Sequence, residues 1–440
     1  MDELTNSWLI YAVPFALIYG IYLTQHHRKQ RLNRAALQDS IDSAMMDPPS
    51  LHPIINHDRC IGCEACVSAC PEFPAHTVLG VISGKANLVS PTDCIGHGAC
   101  KAACPVDAIS LVFGTSERGV DIPELKPTFE TNVPNIYIAG ELGGMGLIRN
   151  AIEQGKQAVG HMAKGPRGKS EYDILIIGAG PAGLAATLAA KAAGLNYLTI
   201  ERSSLGGTVA KFPRGKLVMT APVELPLYGQ MFFQETLKED IIKFWDNVVA
   251  QTGIEIHFGE TVTAIEKHDH EFKVCTDVGE HRASQVLLAL GRRGTPRTLG
   301  VPGEELPKVV YTLIDPSEYE GKKVCVVGGG DSALEAANSI AMLEGTQVSL
   351  SYRSGSITRA KRKNREQLQE NVRAGRINLL LNSNVKCIQE NGVTLETKCE
   401  RGSSTLDLEN DAMIVCVGGI LPTNFLRDVG ITIETKFGTA

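Results

Sequence analysis

Seven of the chain's twelve cysteines fall between Cys60 and Cys104, in two runs whose spacing leaves few ways to fold. The first is Cys60-Ile-Gly-Cys63-Glu-Ala-Cys66-Val-Ser-Ala-Cys70-Pro71, and the second is Cys94-Ile-Gly-His97-Gly-Ala-Cys100-Lys-Ala-Ala-Cys104-Pro105. Thiolates at this spacing wrap round one cube of iron and sulfide, and the trailing Cys-Pro of each run ligates the other cluster. The expected ligands are Cys60, Cys63, Cys66 and Cys104 for one cluster, and Cys70, Cys94 and Cys100 with His97 in the fourth place for the other. Three outcomes stay open at that place: His97 ligates the fourth iron, the site holds a three-iron cluster, or another group completes it. A ligating His97 would raise the potential of its cluster, as histidine does in Rieske centres. Zinc competes for such residues, but a zinc site closes with four ligands and these runs do not stop at two pairs. An odd cysteine count at these spacings does not describe a secreted disulfide framework and favours a reducing compartment. Cys275, Cys325, Cys387, Cys399 and Cys416 stand singly and read as small hydrophobes.

A length of 440 residues gives room for about three domains, and 43% hydrophobic with 21% charged residues is globular composition. Lys and Arg number 43 against 49 Asp and Glu, so no basic field attracts a phosphate backbone and nucleic acid is not expected as a partner. Near the N-terminus, Trp8 to Leu23 is uncharged and largely apolar, with Pro14 inside it and aromatic residues at both ends. This reads as a transmembrane anchor just long enough to span a bilayer. Arg28, Lys29, Arg31 and Arg34 follow, which by the positive-inside rule leaves the catalytic part of a single-pass membrane protein in the cytoplasm. A cleaved signal peptide is the rival, although Asp2 and Glu3 replace its basic start. A buried hydrophobic helix is the plainer alternative. Residues 1–34 are thus expected to be anchor and basic flank, and 35–55 a linker.

Two glycine cradles lie further on. Tyr172-Asp-Ile-Leu-Ile-Ile177 is an apolar strand running into Gly178-Ala-Gly180-Pro-Ala-Gly183 and an alanine-rich helix, with Glu201 closing the next strand. Glycines at these places permit a tight turn and bring a pyrophosphate to a helix N-terminus, while the acid can hold a ribose hydroxyl. The second cradle joins Lys323-Val-Cys-Val-Val327 to Gly328-Gly-Gly330-Asp331-Ser332-Ala333. Its following strand ends in Tyr352-Arg353 with no acid, and Arg353, Arg359, Lys361 and Arg362 offer positive charge to a 2′-phosphate. That favours NADP over NAD, with a solvated basic loop as the alternative.

Residues 56–113 resemble dicluster ferredoxins. The rest resembles the thioredoxin-reductase class of pyridine-nucleotide flavoproteins, most of all its bacillithiol-disulfide-reductase-type members. The resemblance is carried by Gly206-Gly207-Thr208, Lys216-Leu-Val-Met-Thr-Ala-Pro222, Ala289-Leu-Gly291, Gly328 to Ala333 and Asn364-Arg365-Glu366. It implies FAD in the first cradle and a nicotinamide nucleotide in the second. Two departures stand out. Where thioredoxin reductases carry Cys-x-x-Cys, this chain has Tyr311-Thr-Leu-Ile-Asp-Pro316, so dithiol exchange lacks its sulfurs. The family's closing segment, with a Gly-acid pair at the flavin chain and a helix aimed at the ring, resembles Thr128 to Asn150, with Gly140-Glu141 as the pair. That segment precedes the first cradle, so the flavoprotein reads as circularly permuted.

The expected fold is α/β, with two Rossmann-like dinucleotide domains, a small α+β dicluster ferredoxin domain and one N-terminal transmembrane helix. The expected divisions are a ferredoxin domain at 56–115, a relocated FAD segment at 116–165, an FAD domain at 170–292, a nucleotide domain at 293–420 and a return at 421–440. The implied function passes electrons from NADPH through FAD to two iron-sulfur clusters and on to an electron-transfer protein or quinone, at the membrane, with no side-chain acid or base named. A homodimer is left open. The alternatives are a disulfide or other two-electron reductase with accessory clusters, and a membrane-tethered redox sensor or assembly subunit.

Overall fold

Ligand residues three apart leave room for one helical turn before the chain doubles back, and the cysteine-rich part is built of short elements. The computed structural model describes residues 2–42, 46, 48, 51–74, 77–94, 96, 98–115, 119–144, 147–165, 170–220, 222–233, 235–268, 271–292, 294–358, 360–399 and 402–438, without the side chains of 2–10, 219, 398 and 399. The chain forms two compact units, residues 1–119 with 437–440, and residues 120–436.

The first unit opens with helix α1, Asp2–Asp42. Strand β1 (His52–Ile55), the single turn α2 (Ala65–Ser68), the hairpin β2 (Leu79–Ile82) and β3 (Lys85–Leu88), the turn α3 (Ala99–Ala102) and strand β4 (Ile109–Val112) follow. β1 and β4 pair antiparallel, with Ile55 opposite Ile109. Val67, Val78, Leu79, Val81 and Ile109 form a core together with the thiols of Cys60, Cys66, Cys94 and Cys100.

The expected transmembrane anchor is overturned: among the described residues no helix is long and apolar enough to cross a membrane. The apolar run Trp8 to Leu23 covers about 24 Å of the roughly 30 Å that a hydrocarbon core requires. The helix does not end there. It continues through the basic residues to Asp42, and its second half lies on the β2–β3 hairpin. Asn33 Nδ2 donates to Val81 O at 3.0 Å and Ser40 Oγ to Val89 O at 2.8 Å, both buried. Arg34 reaches Ser83 Oγ at 3.0 Å, and Lys29 pairs with Glu64. Two of the four basic residues read as a membrane flank, Lys29 and Arg34, thus have partners within the chain. The single-pass membrane location and the transmembrane part of the expected fold class are therefore set aside, and residues 35–42, expected as linker, are helix.

The second unit begins with β5 (Val120–Pro123), β6 (Ile136–Ile138), α4 (Ile148–Met162), β7 (Tyr172–Ile177), α5 (Pro181–Ala192) and β8 (Tyr197–Glu201). Two short hairpin-like pairs, β9 (Leu217–Met219) with β12 (Glu235–Leu237) and β10 (Val223–Leu225) with β11 (Gly229–Met231), precede α6 (Lys238–Thr252). β13 (His257–Phe258), β14 (Val262–His268), β15 (Glu271–Thr276) and β16 (Glu280–Leu288) complete the lobe. Its sheet runs β13-β8-β7-β16-β15-β14, with β6 also on β16. β6, although it precedes β7 in sequence, is parallel to β16, Ile136 facing Val286 and Ile138 facing Leu288. A strand such as Ile-Leu-Ile-Ile, apolar at every position, needs cover on both faces. Ile174 and Ile176 pack with Ala158, Val159, Ala182 and Ala186 of α4 and α5. Leu175 and Ile177 pack on the opposite face with Ile265, Phe272 and Val274 of the β14–β16 meander.

The nucleotide lobe repeats this plan. After β17 (Thr295–Pro296) come β18 (Val309–Val310), β19 (Lys323–Val327), α7 (Asp331–Ile340), β20 (Gln347–Ser351), α8 (Arg362–Arg373) and β21 (Ile377–Leu380). The meander β22 (Ser383–Gln389), β23 (Gly392–Cys399) and β24 (Gly402–Glu409) leads to β25 (Ala412–Val415) and β26 (Gly419–Ile420). The parallel sheet is ordered β18-β25-β19-β20-β21. The two chain crossings between lobes pair with each other, β17 against β26. The chain then returns through α9 (Thr423–Asp428) to β27 (Ile433–Lys436), which pairs antiparallel with β5.

Candidate functional site

Each cysteine run folds as a loop, a left-handed residue and one helical turn, with Glu64 (φ 61°) before α2 and Gly98 (φ 79°) before α3. The result is a pocket lined by Cys60, Cys63, Cys66 and Cys104 among the apolar Ile55, Val106 and Ile109. Three thiols of the first run thus meet the last thiol of the second. Backbone N–H groups already point at two of these sulfurs, Ala86 N at Cys60 Sγ (3.4 Å) and Ala108 N at Cys104 Sγ (3.2 Å). Burial, then the Cys100, Cys60 and Cys63 thiols nearby, push Cys66 up to about 11. Burial, then Cys94 and, less strongly, Cys70, push Cys100 up to about 11, and burial with Cys70 also pushes up Cys94. Cys100 thus lies near Cys94 and Cys70, and near Cys66 of the first run as well. His97 lies outside the described residues. Among the described residues no three His, Cys, Asp or Glu side chains converge on a point that would hold one metal ion.

The first cradle closes as its glycines require. At Gly183 an added Cβ would lie 1.7 Å from Gly178 O, and at Gly178 (φ +107°) it would lie 2.5 Å from Ala289 O. At Gly180, by contrast, a Cβ would meet nothing within 4 Å. The outer glycines are locked by backbone and the middle one faces open space at the start of α5, which is the shape a pyrophosphate needs. Glu201 is buried at the lip. Its carboxylate accepts from Ala179 N at 2.8 Å and from Ser203 N at 2.9 Å. Gly206 N donates to Ala179 O at 2.9 Å, an added Cβ on Gly207 would stand 3.2 Å from Gly180 Cα, and one on Gly291 would stand 3.8 Å from Thr208 Oγ1. Gly140 (φ +86°) reaches the same place from before the cradle: its Cβ would lie 3.0 Å from Ala182 Cβ in the first turn of α5, and Glu141 follows it. Thr220 Oγ1 is buried without a protein partner.

In the second cradle Gly328 is closed by Cys416 O, 2.3 Å from an added Cβ, while Gly330 is open. Ala333 sits as the third small residue, 3.0 Å from the same Gly328 position. Asp331 is taken up by the loop opposite, accepting from Lys361 N (2.8 Å) and Asn364 Nδ2 (2.7 Å), and Ser332 beside it is exposed. Arg353 is exposed at the end of β20. Arg362 Nε is engaged with Glu366 at 2.7 Å, and Arg359 lies outside the described residues. The scattered Cys325 is wholly buried and pushed up to about 12 by that burial, in line with a packing role.

Residues 175–439 match the family model for pyridine nucleotide-disulphide oxidoreductase, well over half of the chain. The chain belongs to that family. It is an FAD-dependent NAD(P)H oxidoreductase, and residues 52–105 match the 4Fe-4S dicluster domain, so at least one iron-sulfur cluster accompanies the flavin. This oxidoreductase is 31% identical over 270 residues to a ferredoxin–NADP reductase of Ignicoccus hospitalis, an alignment covering 60% of this chain and 83% of that one. It is 26% identical over 269 residues to the bacilliredoxin reductase Bdr of Bacillus subtilis, covering 60% and 82%. The solved bacillithiol disulfide reductase Bdr of Staphylococcus aureus shares its fold, with a TM-score of 0.51 at 24% identity, covering 60% and 81%.

Several residues of the oxidoreductase's site escaped the sequence reading. Gly155 of α4 is one: its Cβ would lie 2.1 Å from Ala182 O, so the α4–α5 approach that seats Gly140 depends on it. Small residues Ala151, Gly155 and Ala158 on one helix face are the available signal. Two ion pairs that tie the lobes, Arg214 to Asp315 at 2.9 Å and Lys216 to Glu335 at 2.6 Å, are another. Hydrogen bonds from Ser317 and the Arg214 guanidinium hold the Asp315 carboxyl down at about 2.

Proposed function

We propose that this enzyme oxidises NADPH and delivers the electrons, by way of FAD and two iron-sulfur clusters, to an electron-transfer protein or a quinone. The observation that carries the reading is the convergence of Cys60, Cys63, Cys66 and Cys104 on one pocket, in a chain that also holds two open glycine cradles. When bound, flavin and clusters supply the conversion of a two-electron donor into single-electron steps. The residues would do the holding: Gly178, Gly180, Gly183, Glu201, Gly206 to Thr208, Gly140 and Glu141 the FAD, and Gly328, Gly330 and Ala333 the nucleotide. Cys70, Cys94 and Cys100, with His97, would hold the second cluster. Tyr311 to Pro316 contain no cysteine, which disfavours a dithiol reductase. The ordering of β6 and α4 before β7, with β6 in the same sheet as β7, supports a circular permutation, as do a family match confined to residues 175–439 and a cover of 83% of the Ignicoccus relative.

Anaerobic analysis tests the reading. Seven to eight irons and one FAD per chain are expected, with cluster colour bleached rapidly by NADPH; two or fewer irons in carefully purified protein would refute it. Coenzyme choice is a separate expectation. Arg353→Ala removes a charge-assisted bond to the 2′-phosphate worth about 1.5 to 3 kcal/mol. Steady-state kinetics should show KM for NADPH raised roughly tenfold or more, with NADH unaffected. Equal losses with both coenzymes would exclude this role for Arg353.

A further inference from the structure

We infer that Lys29 of α1 is a positioning residue for the first cluster: it neutralises the Glu64 carboxylate inside the ligand loop and thereby holds that cluster's potential up. The inference rests on the reading that Cys60, Cys63, Cys66 and Cys104 bind a cluster. Glu64 stands between the ligands Cys63 and Cys66, in a left-handed conformation (φ 61°) that forms the lead-in to α2. Its place is fixed by the turn, and Lys29 comes to it from a helix more than thirty residues away.

The helix is seated by a built interface. Asn33 and Ser40, four and eleven residues along from Lys29 and so on the same helical face, are buried and donate to carbonyls of Val81 and Val89. A Cβ on Gly80 would stand 2.6 Å from the Asn33 side chain, so the hairpin is shaped to receive α1. The same hairpin grips the ligand loop. Gly62 is packed against Gly84, a Cβ there lying 2.3 Å from Gly84 O, and Lys85 Nζ donates to Cys60 O at 2.7 Å. Helix, hairpin and ligand loop are one assembly, with Lys29 the residue of α1 that reaches the ligand loop at Glu64.

The step affected is the addition of one electron to the cluster. No bond forms or breaks, and the extra negative charge is opposed by a bare carboxylate and favoured by a neighbouring ammonium. The Lys29 and Glu64 side chains are 44% and 31% exposed, so the effect is screened by salt and moderate in size.

Redox titration of the full-length holoprotein, followed by electron paramagnetic resonance with iron analysis alongside, tests this. Lys29→Gln should lower the first cluster's midpoint, so that its reduced-to-oxidised ratio at a fixed potential falls roughly three- to tenfold. Glu64→Gln should raise it. The double variant should return near wild type, because the two charge changes cancel. Raising the salt should shrink both single shifts. Asn33→Ala weakens the seat of the helix without changing charge, and should leave the midpoint unmoved. A double variant that fails to restore the potential, or an Asn33→Ala shift as large as that of Lys29→Gln, overturns the inference in favour of simple undocking. Loss of iron from Lys29→Gln does the same if Glu64→Gln in that background does not restore it. Wild-type protein with no reducible cluster would instead sink the cluster reading itself.

Discussion

Gly183→Ala is expected to purify with less than about a tenth of the wild-type flavin. The added methyl group would stand 1.7 Å from Gly178 O and 2.8 Å from Gly178 C, backbone atoms that yield only if the loop moves. Gly178 is itself tied down, its N–H donating to Ile200 O at 2.7 Å. Forcing a methyl into such a contact costs on the order of 1 to 3 kcal/mol or more, and the relaxation pulls apart the turn that would receive the pyrophosphate. Gly180→Ala supplies the contrast. With nothing within 4 Å of its Cβ, that variant should keep its melting temperature while still losing flavin, because the methyl occupies the approach itself. Absorbance near the flavin band and a thermal melt measure both, and full flavin in Gly183→Ala would remove this loop from the FAD site.

Cys104→Ala should abolish the first cluster while sparing the second, although Cys104 belongs to the second cysteine run. The pocket that it shares with Cys60, Cys63 and Cys66 is the reason. A cube deprived of one thiolate in an apolar pocket loses its fourth iron or falls apart. Iron per chain is expected to drop by up to about four, and NADPH-driven reduction of an artificial one-electron acceptor by a hundredfold or so if that cluster carries the current. Disappearance of the second cluster's signal with the first intact would show that each run keeps its own four ligands.

Both sites were legible because their chemistry is local. Two residues between cysteines, or one or two between glycines, dictate what the backbone can do whatever surrounds it. The placement of β6 and α4 was readable from Gly140-Glu141 and the apolar Ile136-Tyr-Ile138, since a short apolar strand needs sheet partners. The N-terminal helix was misread for the opposite reason. An apolar run followed by Arg28, Lys29, Arg31 and Arg34 carries the pattern of an anchor even where it is too short and not apolar enough to span, and the contacts that seat the later half of the helix, at Asn33 and Ser40, leave no periodic mark. The lobe ties were equally invisible: Lys216 and Glu335 are 119 residues apart, and no periodicity links them. Asp331 stands out by motif position, whereas its partners Lys361 N and Asn364 Nδ2, thirty and more residues on, are marked by no pattern in the sequence.

The β5–β27 ladder makes the second unit a ring. Thr435 Oγ1 donates to Asp121 at 2.7 Å across a sequence separation of 314. Closing a flexible loop of that length costs about 5 kcal/mol of chain entropy by the (3/2)RT ln n rule. A handful of ladder hydrogen bonds, at about 1 kcal/mol each, does not offset it alone. The clasp is held instead by what surrounds it: the buried Ile122 and Ile431, Arg292 donating to Asp121 O at 2.9 Å, and Asn132 bonding Gly430 O and Thr432 N at 2.9 and 2.8 Å. The strand that enters the unit is thus secured jointly by the flavin lobe and by the chain's return rather than by its own ladder, so loosening either one should free the other.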